Sequence, residues 1–307
     1  MKIVHAMLLA FKRFFQSRIL RKLLTTPTSA FGIFLLVAFA VIAILAPVLC
    51  PPRYVGHPYM IPRDSFAYEP QAPSAEHPLG TTTGQYDLYY GIVWGTRTAF
   101  RVGFVVTFFA GIIGIVIGTI AAFYGRIVEE IIMRIVDIFM TMPFLVAAMV
   151  LVSILGSGLD KVMIALIAFG WMGYARLIRG EIKGIKALEY ITAARALGAG
   201  DLRLILRHIL PNAIYPVFVM ATMQIGAMVL TAAALSFLGL GAEPGYADWG
   251  QLISYARNWM IGSAGNSSAY WYTVIFPGVT IVLFGLAWNL VGDGFRDIMD
   301  PRMQGSR

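Results

Sequence analysis

Thirty consecutive residues, Leu23 to Pro52, carry no charged side chain, and Val102 to Tyr124 adds another 23. Runs of this length match the roughly 20 apolar residues a helix needs to cross a hydrocarbon layer about 30 Å thick. In lipid every backbone polar group must be satisfied internally, so such runs are read as helices. Composition supports that reading. The chain has 307 residues, of which 58% are hydrophobic and 13% charged, whereas a soluble domain carries about 25% charge. The single cysteine, Cys50, excludes an internal disulfide framework and a cysteine-based metal site.

Six spans are expected: about 31–50, 102–124, 131–155 with a bend at Pro143, 161–179, 213–238 and 271–292. The fourth has a charge-free core of only 14 residues, Val162 to Ala175, so Lys161 and Arg176 are expected to snorkel at its ends. Residues 1–30 hold Lys2, Lys12, Arg13, Arg18, Arg21 and Lys22 among apolar residues and no acid. This reads as a basic amphipathic segment on the inner membrane surface. The apolar run after it is too long for a signal-peptide core, so the first span is read as uncleaved. Residues 51–97 form a polar, proline-rich extracytoplasmic loop, residues 98–292 a five-helix transmembrane domain, and residues 293–307 a tail. Of the 24 Lys and Arg residues, 18 fall on the side of the N-terminus and 6 on the other. This bias places both termini in the cytoplasm and accounts for the net charge of +8 without nucleic acid.

The most polar stretch between spans is EYITAARALGAGDLRLILRHILPN, residues 189–212, within a cytoplasmic loop at 182–212. It is expected to form two short helices. The first, Glu189 to Leu197, is rich in alanine and ends at Gly198, which tolerates the positive φ of a helix C-cap. The second is expected to start at Asp201 as N-cap and stop at Pro211. Leu202, Ile205, Leu206 and Ile209 would form its apolar stripe, with Arg203 and Arg207 away from it. Ala193, Ala194 and Gly198 leave the backbone open to close approach by another surface. A plain amphipathic loop lying on the membrane would satisfy the same pattern.

Thr192-Ala193-Ala194, then Gly198, then Leu210-Pro211 resembles the EAA loop of binding-protein-dependent ABC importer permeases. Thr192 stands where that family usually has Glu, and His208 where it has Ile. Three further stretches resemble the peptide/nickel branch, DppC/OppC type. They are His77 to Thr81 with Asp87 and Gly95-Thr96-Arg97; Ala234 to Gly241 with Trp249-Gly250; and Gly292 to Asp297 with Asp300-Pro301-Arg302. The resemblance implies an all-α integral membrane protein of the six-helix type I importer permease fold in a bacterial or archaeal cytoplasmic membrane. It implies a non-catalytic subunit that pairs with a second homologous permease and with two ATPase subunits, which bind ATP and Mg. It also implies an extracytoplasmic substrate-binding protein. Coupling to the ATPases would run through Glu189, Thr192, Ala193, Ala194, Gly198, Asp201, Leu202, Arg203, Leu210 and Pro211. Di- or oligopeptide is the expected cargo. Nickel, glutathione, oligosaccharide and haem occur in the same branch.

Ionisable residues inside spans are functional suspects, and Asp137 is one. It either lies near the pathway or pairs with Arg134 three residues earlier; the pairing is the simpler reading. In the fifth span Met223, Gln224 and Thr231 are pathway candidates. Their polar groups could instead hold helices together, and the methionines could be apolar filler. No phosphate-binding G-x-x-x-x-G-K-[ST] run and no G-x-S-x-G elbow occurs in the sequence. No cofactor is therefore expected on this chain. A self-sufficient secondary transporter or channel is the rival reading; it would call for coupling-ion ligands or internal repeats.

Overall fold

The computed structural model describes residues 23–63, 67–260 and 268–299. The basic N-terminal segment to Lys22 and the Asp300-Pro301-Arg302 signature lie outside the described residues. The chain runs α1 (Pro27–Leu49), α2 (Leu88–Tyr124), α3 (Arg126–Met140), α4 (Phe144–Leu155), α5 (Leu159–Lys186), α6 (Glu189–Ala196), α7 (Asp201–Phe237), α8 (Trp249–Tyr255) and α9 (Tyr272–Met299). Among the described residues extended structure is limited to three isolated bridges. Helices α1, α2, α5, α7 and α9 are each long and apolar enough to cross a membrane. The broken pair α3 and α4 makes a sixth crossing if taken as one span.

Several boundaries differ from the sequence expectation; α5, for one, runs to Lys186 instead of about 179. Helix α2 begins at Leu88, inside the segment read as loop, and its 37 residues extend about 55 Å. Its first turns escape hydropathy because Arg97 and Arg101 interrupt them. Asp87 starts it as N-cap, accepting from the Tyr90 N–H at 2.8 Å. At the other end of the chain, α9 continues to Met299, so the tail's first residues are helical.

The bend expected at Pro143 is a full break, with α3 and α4 meeting at 87°. Proline lacks an N–H and biases the residue before it away from helical angles. Thr141 and Met142 form the turn, and Pro143 sits extended (φ −57°, ψ 123°) before α4.

Small residues set the close packing. Gly114 and Gly118 of α2 lie against Trp171, Tyr174, Ala175 and Ile178 of α5, leaving no space for a Cβ. Gly226 of α7 faces the Gly285 backbone of α9. Such approaches replace the hydrophobic drive that lipid removes. At one end of the bundle, residues 51–63, 67–87, 239–260 and 268–271 fold together as a cap. Tyr86 stacks on Tyr255 with centroids 4.9 Å apart, and Tyr59 on Tyr246 at 5.3 Å. His77 Nδ1 meets Asp87 Oδ2 at 2.6 Å, so the His-Pro-Leu-Gly-Thr signature holds the residue that caps α2.

Candidate functional site

At the opposite end, α6 and the start of α7 form the 189–212 loop. Helix α6 closes in a Schellman motif: Gly198 N–H donates to the Arg195 carbonyl at 3.0 Å and Ala199 N–H to Ala194 at 3.1 Å. The motif requires a left-handed residue at its C′ position, and Gly198 has φ +84°. The expected cap at Asp201 is displaced. Gly200 is the N-cap, and Asp201 begins the helix without a side-chain capping bond.

Pro211 does not stop the second helix. Residues Leu204–Ile209 form a π-segment, and the chain then continues unbroken through Pro211 to Phe237. A wider turn before proline relieves the clash of its ring with the preceding turn and absorbs the missing N–H. The Asn212 side chain donates to the His208 carbonyl at 2.7 Å. The π-segment also overturns the expected apolar stripe. Leu204 and Ile209, five residues apart, are buried, while Leu202 and Leu206 are exposed.

The loop therefore has two faces. Ile191, Leu204, Ile209 and Ala213 are buried with Ala122, Phe123, Tyr174, Ile178 and Ile182. Outward lie Glu189, Thr192, Ala193, Gly198, Asp201 and Arg203, with Leu197 89% and Leu202 70% exposed. A Cβ on Gly198 would meet nothing within 4 Å. Ala194 and Leu210 are half-buried and Pro211 is exposed. Of the expected coupling residues, all but the half-buried Ala194 and Leu210 are thus exposed, and they mix charged, polar and apolar side chains.

Two cavities run beside α7. One, of about 660 Å³, is lined by Leu177, Tyr215, Met223, Gln224, Asn289 and Arg296 among others. The second, of about 560 Å³, is lined by Met142, Phe144, Phe169, Gln224, Met228 and Thr231 among others. Met220, Gln224 and Ala227 border both. Thr222, by contrast, is buried, donates to the Val219 carbonyl and lies under Gly292 of α9. Gln224 thus faces open space, while Thr222 is helix-packing material. Asn289 and Arg296 were missed by sequence reasoning; the tail signature that contains Arg296 was the available signal.

Asp137 lines neither cavity. Its expected partner Arg134 instead approaches Glu130 at 3.9 Å, and Asp137 pairs with Arg176 of α5 at 2.5 Å. Arg176 therefore ties α5 to the broken span instead of simply reaching for the membrane surface. Among the described residues no cluster of three His, Cys, Asp or Glu could hold a metal ion.

Residues 114–305 match the family described as "Binding-protein-dependent transport system inner membrane component". The dipeptide transport system permease protein DppC of Alkalihalophilus pseudofirmus is 38% identical over 89% of this chain and 85% of its own length. The glutathione transport system permease protein GsiD of Pectobacterium atrosepticum is 37% identical over 80% of this chain and 81% of its own. In fold, the chain is similar to a subunit of the inward-facing MetNI methionine ABC transporter. That likeness has a TM-score of 0.51 and 21% identity, and it covers 68% of this chain and 97% of that one. By the family match over residues 114–305 and by these relatives, with five or six candidate crossings, the chain belongs to the binding-protein-dependent inner-membrane components, the permease subunits of ABC importers.

Proposed function

We propose that this permease carries di- or oligopeptides, pairing with a second homologous permease so that the α7 cavities of the two form the pathway. Two ATPase subunits, which hold ATP and Mg, grip the 189–212 loop at Thr192, Ala193, Gly198 and Leu202. An extracytoplasmic binding protein delivers cargo to the cap at the other end of the bundle. Both termini and the loop lie in the cytoplasm, as the 18 to 6 distribution of basic residues favours. The chain itself does no chemistry; ATP closure on the partners rocks it between outward and inward access.

The observation that carries this reading is the loop's outward face. Exposed Leu197 and Leu202 are costly to leave in water and mark an interaction surface. Beneath them Ile191, Leu204 and Ile209 anchor the loop to the bundle. Peptide cargo is supported by the relatives named for dipeptide and peptide transport. The test is affinity purification of the tagged chain in mild detergent. A second permease and P-loop ATPases should accompany it, and Gly198→Trp should insert normally but lose both the ATPases and uptake. Purification alone, with ATP-independent flux in liposomes, would refute the proposal in favour of a secondary transporter.

A further inference from the structure

The cytoplasmic end of α2 is finished by its neighbours. Its last turn contains no basic residue, although a helix C-terminus presents unpaired carbonyls and a partial negative charge. Lys186, at the end of α5, donates from Nζ to the Ala122 carbonyl at 2.9 Å and the Phe123 carbonyl at 2.6 Å. The same ammonium lies 5.5 Å from the centroid of the Phe123 ring. Arg195, on α6, places its guanidinium 5.8 Å from that ring, within cation–π range. Phe123 itself is buried. Just beyond, Glu129 of α3 receives hydrogen bonds from Arg179 and Lys183 of α5.

Two like charges from different elements thus meet at one ring, and Lys186 is in addition bonded to the α2 carbonyls. Helix α6 has few other attachments: Ile191 is its one buried residue. A shift of α6 that moves Arg195 would change the electrostatic environment of the α2 terminus directly.

We propose that Phe123, bracketed by Lys186 and Arg195, is the joint that passes displacement of α6 to α2, making Phe123 and Arg195 positioning residues for coupled transport. This rests on the importer reading above. The joint concerns transmission, so it is read as substrate moved per ATP hydrolysed by the complete reconstituted complex with its binding protein. Phe123→Leu keeps an apolar side chain but removes the ring; Arg195→Gln keeps a polar, hydrogen-bonding side chain but removes the charge. Both should retain assembly and ATPase activity while the transport-to-ATP ratio falls at least about fivefold, the lower end of ordinary coupling effects. Phe123→Tyr and Arg195→Lys should restore most of it. An unchanged ratio in Phe123→Leu and Arg195→Gln would overturn the joint. So would equal defects in the conservative pair, which point to packing alone, or loss of the ATPases from Arg195→Gln, which points to docking. Absence of ATP-driven transport by the wild-type complex would instead sink the importer reading beneath it.

Discussion

Asp248 is buried, and it caps α8 by accepting from Gly250 N–H at 2.7 Å and Gln251 N–H at 3.3 Å. Its second oxygen accepts from the Ser236 hydroxyl at 2.8 Å. Burial pushes its carboxyl above the ordinary 3.8, against the lowering effect of those three hydrogen bonds. The folded state therefore holds the proton more tightly than the unfolded chain, and stability declines as pH rises from 3.8 through the raised value. Asp248→Asn removes that dependence and keeps both capping bonds. Thermal unfolding in detergent should show the wild type losing stability relative to Asp248→Asn as pH rises above 3.8. Asp248→Ala strands the Gly250 and Gln251 donors and should cost about 1–3 kcal/mol. The letters of this site were visible in the Ala234 to Gly241 and Trp249-Gly250 signatures, but their reason was not. Gly250 packs so closely on the Ala233 backbone that no Cβ fits, and that neighbour comes from another helix.

Helices were legible wherever their stabilisation is local and apolar; their ends and breaks were not. Pro143 and Pro211 look alike in sequence, yet one breaks a span at 87° and the other lies inside a continuous helix behind a π-segment. The difference lies in packing: Leu204 and Ile209 are held in a buried cluster with α2 and α5, so widening the turn costs less than leaving the cluster. The Gly114 and Gly118 spacing was also legible, but its partner on α5 was not. At Gly118 a Cβ would collide with the Ala175 backbone and the Ile178 side chain, whereas at Gly111, on the same helix, it would meet nothing within 4 Å. Gly118→Ala should cost about 1–3 kcal/mol, and Gly118→Leu should abolish the monodisperse peak in detergent gel filtration that Gly111→Leu preserves. Asp137 and Arg176 make a comparable pair between elements. Removing either leaves one charge without its partner, which is more damaging than removing both. Membrane yield should fall in Asp137→Ala and in Arg176→Ala and recover in the double variant.

At the scale of the whole molecule, the series of apolar spans was legible because it is one-dimensional. The cap was not, because it is assembled from distant segments, as in the Thr83 hydroxyl donating to the Tyr255 carbonyl at 2.8 Å. Nor were the cavities, which depend on how α5, α7 and α9 are set against one another. Alternating access makes a prediction about those cavities that this chain is well suited to test. Its single cysteine, Cys50, lies just past the end of α1. It is buried, and burial, with a smaller contribution from Asp87, pushes its thiol up to about 12. The thiolate is the reactive species, so the native chain should be silent to maleimides. Introduced cysteines can then report one position at a time. Gln224→Cys borders both cavities, while Leu230→Cys is exposed on α7 but lines neither. In the nucleotide-free complex Gln224→Cys should react with an impermeant maleimide applied from the α6 side. When the ATPases are trapped closed, that reactivity should be lost and should appear from the cap side. Leu230→Cys, set outside both cavities, should stay inert in both states. Reactivity of Gln224→Cys from both sides at once would describe a channel and contradict alternating access. Inertness in both states, with Leu230→Cys reactive instead, would place the pathway on the opposite face of α7.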